Sequence, residues 1–491
     1  MKRRKALQQI SLGLSAGLMM PQLLTACKKD DPGPEVPFDG NVVIIGAGAA
    51  GLFAADILHT KGIKVSVLEA SNQLGGRIQS FRNSNEISDS LLFDMKNRTI
   101  ADFPVELGAE IVFGPDSSWG KIISNLNLST VSLETVATNR FILDQSVKTA
   151  VELQGDSDFL QSQTFVNELP NYSSAAVSMK QAISGLSRRT DAILNSQIGN
   201  YYGTSNDTLG ISLLSQDLKA RTHDGKVFSM KANPMQDILL SRFSEIQSLV
   251  ETGKQVKSIN YGSDPIVITL KDGSQVEADK VISTVPISIL KGGGISFSPA
   301  LPGEMTSALS RMGMDATVRL VLDFKKNFWG EDSGFIWGGT TAPHYFSTGI
   351  GRSEFYRTIS ITINGAKAAE LSAKGPDLMI AEILAELDAL YAGQATLFVR
   401  RNLDTTDPNF DKIIYILKDW SKDEHFKGGY SYPLASATTN DRIALGKPVS
   451  NKLFFAGEAT DVGGDAGTVS GALSSGARVS EEVIKSILGI S

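Results

Sequence analysis

The segment NVVIIGAGAAGLFAADILHTKGIKVSVLEA, residues 41–70, constrains the fold more than any other stretch. Asn41 to Ile45 and Lys64 to Leu68 are short apolar, β-branched runs of strand length. Ala49 to Thr60 has helical character between them, so the whole reads as a βαβ unit. Gly46, Gly48 and Gly51 fall where the first strand turns into the helix. The first permits the tight turn, the second lets backbone approach a pyrophosphate, and the third allows helix to pack closely on strand. The helix opens at Ala49 and Ala50, and its N-terminus offers free N–H groups and the positive end of its dipole to phosphates. Glu69 closes the second strand, where a carboxylate accepts hydrogen bonds from ribose hydroxyls and repels the 2′-phosphate of NADP. NAD or FAD is the implied ligand.

Composition narrows the remaining possibilities. The chain has 491 residues, 42% hydrophobic and 20% charged, enough for two to four domains at roughly 100–200 residues each. A single cysteine excludes an intramolecular disulfide, and with four histidines it argues against a structural zinc site of the Cys/His type. The net charge of −6 disfavours nucleic-acid binding. The one cysteine, Cys27, follows the basic start MKRRK, an apolar stretch and the small residues Leu24-Thr25-Ala26. This arrangement resembles a bacterial lipoprotein signal, which implies removal of residues 1–26 and lipidation of Cys27. Arg3-Arg4 resembles a twin-arginine export signal. Residues 27–39, rich in Pro, Gly and charge, read as a flexible tether. Lys28 to Asp31 resemble a short lipoprotein signal for the cell surface. The expected location is the cell envelope, with the membrane contacted through the lipid anchor alone.

Three further segments resemble the flavin-containing amine oxidase family: EASNQLGGR at 69–77, VELGAEIVFG at 105–114, and LFFAGEATDVGGDAGTVSGALSSGARVSEEV at 453–483. The resemblance implies noncovalently held FAD, since the cysteine that some members attach to flavin is missing from the GGY segment at 428–430. It implies cofactor contacts from Gly76, Arg77, Gly108, Ala109, Gly457, Glu458, Thr468 and Val469, and backbone contacts to adenine from Val256. A terminal helix from Val469 would aim its N-terminus at the flavin and stabilise negative charge developing there. The implied reaction moves a hydride equivalent from the amine-bearing carbon of a small-molecule amine to flavin N5. Dioxygen, or another electron acceptor, then reoxidises the cofactor.

The chain departs from the family pattern in the segments expected around one pocket. The usual lysine beside flavin N5 aligns with Arg319 in RMGMDATVRLVLDFKKNFW, and arginine keeps the charge but cannot become neutral. DWSKDEHFKGGYSYP at 419–433 supplies a flavin-facing Trp420 and one ring of an aromatic sandwich, Tyr430, with Tyr432 a rival. The second ring aligns with Thr468. Arg319, Tyr430 and Thr468 are therefore the catalytic candidates. Asp116, Glu110 and Asp315 are candidate docking acids whose alternative reading is solvated loop. The amine, whether primary amine, polyamine or amino acid, is left open. A dehydrogenase or desaturase using another acceptor, and a silent FAD-containing surface protein, remain alternatives.

The fold expected is α/β, a discontinuous Rossmann-like FAD domain interleaved with an α+β substrate domain. The FAD domain takes residues 40–115, 226–295 and 421–491. The substrate domain takes a helical part, 116–225, and a sheet part, 296–420. Asn233, Pro234 and Gln236 predict a helix start, with Leu239, Phe243, Ile246 and Val250 on one helical face.

Overall fold

The computed structural model describes residues 34–81, 105–172, 176–352 and 357–490. The export signal, Cys27 and most of the tether lie outside them. Val36, at the tether's end, is buried in the core and its N–H donates to Lys61 O, so this part of the chain packs as fold.

The first three elements are the strand Asn41–Ile45, the helix Ala49–Thr60 and the strand Lys64–Leu68. Five parallel strands form one sheet in the order Leu453–Phe455, Lys280–Ser283, Asn41–Ile45, Lys64–Leu68 and Val250–Glu251. Their separation in sequence makes this layer discontinuous. The terminal helix Val469–Leu488 packs on the helix Ala49–Thr60, and their apolar faces share one core with Val42, Ile44 and Phe454. A second sheet orders Gln275–Ala278, Ile266–Leu270, Val256–Asn260 and Ser296–Ser298. It is folded over by a turn through Gly273, whose φ is +88°.

The largest sheet has seven strands: Tyr415–Asp419, Thr317–Asp323, Thr358–Asn364, His344–Ser347, Ser333–Trp337, Thr138–Leu143 and Ser146–Thr149. The last two come from the stretch expected to be helical. Strand alternation gives the sheet two different faces. Val318, Leu320, Leu322, Ile359, Ile361 and Ile363 point to one side and pack with the helices Gly365–Lys374 and Pro376–Leu390. Each such side chain, fully buried, contributes about 1.5–3 kcal/mol. The residues between them point to a cavity against the Rossmann layer.

The helix expected from Met235 through Val250 is shorter, Met235–Arg242, with Pro234 as its N-cap. Phe243 and Ile246 are still buried, but in a turn, and Val250 begins the edge strand of the parallel sheet. The helical spacing was real for Leu239 and accidental beyond it, because pairing with Lys64–Leu68 claims Val250. Strands on both sides of the expected boundaries at 115/116 and 225/226, namely Val112–Phe113, Val227–Met230 and Thr130–Ser132, join in one small sheet.

Candidate active site

A cavity of about 380 Å³ runs between the parallel sheet and the seven-stranded sheet. At its Rossmann end Gly46 adopts a φ of +106°, and a Cβ on Gly51 would sit 2.0 Å from Gly46 O, so both positions demand glycine. Gly51 lies behind this contact and does not line the cavity, whereas Gly46, Gly48, Ala49 and Ala50 do. The helix Ala49–Thr60 has no side-chain cap, so its leading N–H groups are open to the cavity. Glu69 accepts hydrogen bonds from the backbone N–H of Ala47 (2.7 Å) and Ser71 (2.8 Å), which fixes its carboxylate at the rim. An uncapped helix start, a tight glycine turn and a backbone-held carboxylate fit the pyrophosphate and ribose of a dinucleotide.

Farther along, Gly76, Arg77, Gly108, Ala109, Val256, Trp420, Gly457, Glu458, Thr468 and Val469 all border the cavity. Arg77 Nη1 donates to Glu458 Oε1 (2.9 Å) and to Gly429 O (2.8 Å). The Glu458 carboxylate also accepts from Ser431 N–H, Ser431 Oγ and Gly467 N–H. Burial alone pushes its pKa up, but Arg77 and Ser431 outweigh this and hold it below the usual range. Glu458 therefore works inside the protein, tying together three loops that meet at the cavity. Trp420 donates from Nε1 to Leu107 O (2.9 Å), with Lys418 Nζ 4.6 Å from its ring centre. Thr468 is the N-cap of the terminal helix: its Oγ1 accepts from Gly471 N–H and donates to Asp465 O. That hydroxyl is committed to the helix start, which leaves it no evident catalytic duty.

Arg319 is only 6% exposed and borders the cavity. Its guanidinium is ion-paired with Glu110 and donates to Thr362 Oγ1. Glu110 is thus no solvated loop residue, because the cavity wall closes over it and Arg319 supplies its counter-charge. Asp116 is exposed, and Asp315 accepts from Thr204 Oγ1 (2.6 Å) away from the cavity wall. Behind the pair, Glu106 accepts from Ser80 Oγ (2.5 Å) and Met235 N–H (2.9 Å), which caps the helix that begins there. Burial raises its pKa to about 7.

Tyr430 borders the cavity and donates to Tyr201 O (2.8 Å). The rival Tyr432 is turned away into a separate core with Leu194 and Leu209. The aromatic wall is not limited to Tyr430: Phe113, Tyr201, Tyr202, Phe335, His344 and Phe346 also line the space. Phe335 stacks on Phe346 (4.5 Å) and on Trp337 (4.6 Å). Sequence reasoning missed these residues and Asn200. The alternation Phe335/Trp337 and His344/Phe346 within short strands was the available signal. Asn200 closes a π-helical turn, Asn195–Asn200, a conformation that recurs at functional sites.

The model of the family described as flavin containing amine oxidoreductase matches residues 237–484, half of the chain, and that of an NAD(P)-binding Rossmann-like domain matches 44–124. The chain belongs to the flavin containing amine oxidoreductase family. FAD is its cofactor, and the dinucleotide cradle above fits it. Lysine-specific histone demethylase 1 homolog 2 of Arabidopsis thaliana is 26% identical over 92% of this chain and 59% of its own length. Polyamine oxidase 4 of Oryza sativa subsp. japonica is 24% identical over 96% of this chain and 93% of its own. The chain spans about half the length of several demethylases it matches. Putrescine oxidase bound to putrescine shares the fold at a TM-score of 0.72 and 18% identity, over 91% of this chain and 99% of that one. Cyclohexylamine oxidase from Brevibacterium oxydans does so at 0.70, also 18% identical, over the same shares. The two solved oxidases thus share this chain's fold over nearly all of their length.

Proposed function

We propose that this flavoprotein oxidises a small-molecule amine to an imine. The observation that carries this reading is one continuous cavity lined both by the dinucleotide cradle and by an aromatic wall. Bound FAD supplies the hydride acceptor, flavin N5. The protein's part is to hold the amine, align its carbon–hydrogen bond and exclude water. Tyr430, Tyr201, Phe335 and Phe346 provide faces against which a neutral or cationic amine rests. The N-terminus of the helix Val469–Leu488 adds a positive dipole end to the same wall.

Oxygen is the acceptor in the first reading, with hydrogen peroxide released. The pairing of Arg319 with Glu110 favours a second, in which another acceptor takes the electrons. Arg319 cannot lose its proton, and Glu110 compensates the charge that would otherwise attract superoxide. Reduction by an amine without oxygen, followed by air, separates the two. Rapid return of the oxidised spectrum with peroxide supports the oxidase, and persistent reduced flavin supports the other acceptor. No bleaching by any amine of a broad panel would sink both.

The proposed location is the cell envelope, through a lipid on Cys27 after removal of residues 1–26. The residues MKRRK and Leu24-Thr25-Ala26-Cys27 support it. Labelling with a fatty-acid analogue should mark the native chain and spare a Cys27→Ser variant.

A further inference from the structure

Across the seven-stranded sheet one rung of side chains faces the cavity side. Arg319 pairs with Thr362, and His344 pairs with Trp337. Continuing the register of Tyr345 with Ile361 by one residue sets His344 beside Thr362. Arg319, Thr362, His344 and Trp337 therefore form a row over four neighbouring strands.

The proton on His344 can be placed by its neighbours. Asn364 N–H donates to Asn200 Oδ1 (2.8 Å), which fixes the Asn200 amide. Asn200 Nδ2 then donates to Thr362 O (3.0 Å) and faces His344 Nδ1 at 3.2 Å. Nδ1 must accept, so the proton is on Nε2. That Nε2–H has no partner among the described residues, on a ring 6% exposed that borders the cavity. Burial first, then the charge of Arg319, pushes the pKa of His344 down to about 3, so the ring stays neutral. Arg319 Nε and Trp337 Nε1 in the same rung also lack an acceptor, but neither exposes surface to the cavity. A buried donor without an acceptor is costly, and a ligand that supplies one is rewarded.

The charge in the rung itself is neutralised within the protein, although Lys254, Glu424 and Lys427 also border the cavity. Arg319 is paired with Glu110, and Arg221, which also borders the cavity, is held by Gly464 O and lies 3.6 Å from Asp465. The carboxylates of Glu110 and Glu458 are occupied by Arg319 and Arg77. An ammonium at the rung would meet N–H donors, and a free carboxylate would be an uncompensated buried anion. A neutral carbonyl satisfies the donor at the least desolvation.

We propose that His344 makes this site select an amine whose other end carries a neutral carbonyl, an amide in particular, over a diamine or an amino acid. This rests on the amine-oxidising reading, which it refines by naming the substrate class.

The test uses the FAD-loaded protein and four straight-chain amines of equal length, ending in methyl, acetamide, ammonium or carboxylate. Anaerobic bleaching of the flavin gives their relative rates. The acetamide-ended amine should exceed the methyl-ended one by about tenfold, the size of one hydrogen bond. That ratio should fall to near one in His344→Phe and be partly kept in His344→Gln. A matching acetamide-capped alkane without the amine should bind, by perturbation of the flavin spectrum, about tenfold more weakly to His344→Phe. Preference for the ammonium or carboxylate end, or a ratio unchanged by His344→Phe, would overturn the proposal. If no amine bleaches the flavin, the oxidation reading fails. The capped alkane then still decides the acceptor site: absent binding, or binding that His344→Phe does not alter, rejects it.

Discussion

The two ends of the cavity recognise their ligands by different means. At the Rossmann end the contacts are backbone: the free N–H groups of an uncapped helix, a glycine turn, and a carboxylate steered by two main-chain donors. At the opposite end they are side chains, one from each of several strands, aligned into a rung by sheet register. Backbone recognition needs little beyond glycine and a helix start, so it tolerates few changes of conformation but many of sequence. Side-chain recognition depends on which residue each strand presents. The general part of the chemistry therefore sits on the first device, and the particular part on the second.

The backbone device at the Rossmann end is most vulnerable at Gly51. A Cβ there would press on Gly46 O at 2.0 Å, and backbone cannot move aside cheaply. Gly51→Ala should therefore raise the Kd for FAD by more than about tenfold, about 1.4 kcal/mol, and lower the flavin-to-protein ratio of the purified protein. Full flavin content would show that the cradle is less demanding than the geometry says.

On the other wall the sharpest change is Glu110→Gln, which strands the buried charge of Arg319. Removing one partner of a buried pair costs about 3–5 kcal/mol. Urea denaturation of the FAD-loaded protein should show such a loss. The double change Glu110→Gln with Arg319→Met should recover most of it, since neither charge then remains. A single-variant loss under about 1 kcal/mol would mean the pair is solvated after all.

Glu106 gives a pH-dependent test of the layer behind that pair. Its pKa is raised from an ordinary 4.5 to about 7 by burial, against the hydrogen bonds from Ser80 and Met235, with Glu110 raising it further and Arg319 lowering it. The folded protein thus binds this proton more tightly than the unfolded chain does. Its stabilisation is present below pH 4.5 and is lost as pH rises through 7, a change of about 3 kcal/mol at most. Melting curves should show Glu106→Gln gaining on the native protein between pH 5 and pH 8. An equal offset at both pH values would contradict the raised pKa.

The smallest expected effect is at Tyr430, whose hydroxyl bonds to Tyr201 O and receives Asn364 Nδ2. Tyr430→Phe keeps the ring and should cost about 1 kcal/mol. If amine-dependent bleaching falls while stability changes by no more than this, the hydroxyl orients the aromatic wall. If both are unmoved, the ring alone matters.

Much of the Rossmann end was legible in advance because its signals are local. Gly46, Gly48, Gly51 and Glu69 lie within one βαβ unit, and the helix and strand bounds there match the hydrophobic pattern residue for residue. The strands Ile266–Leu270 and Gln275–Ala278 carry an equally local signal, alternation on either side of Asp272-Gly273. The helical face expected through Val250 failed because a parallel partner, not local spacing, claims that residue. Glu110 looked like loop because the residue that neutralises it, Arg319, is 209 positions away.

By itself the sequence determined the βαβ unit that opens the Rossmann layer, the family to be expected, and the substitution of arginine for the usual lysine at 319. Those features are fixed by contiguous residues whose backbone geometry follows from glycine, chain direction and hydrophobic period. Only the tertiary structure decided that Arg319 is charge-compensated by Glu110, that Glu458 holds Arg77 in place, and that His344 presents a neutral N–H beside it. Sheet register and burial set these relations, and both arise only when distant segments pack.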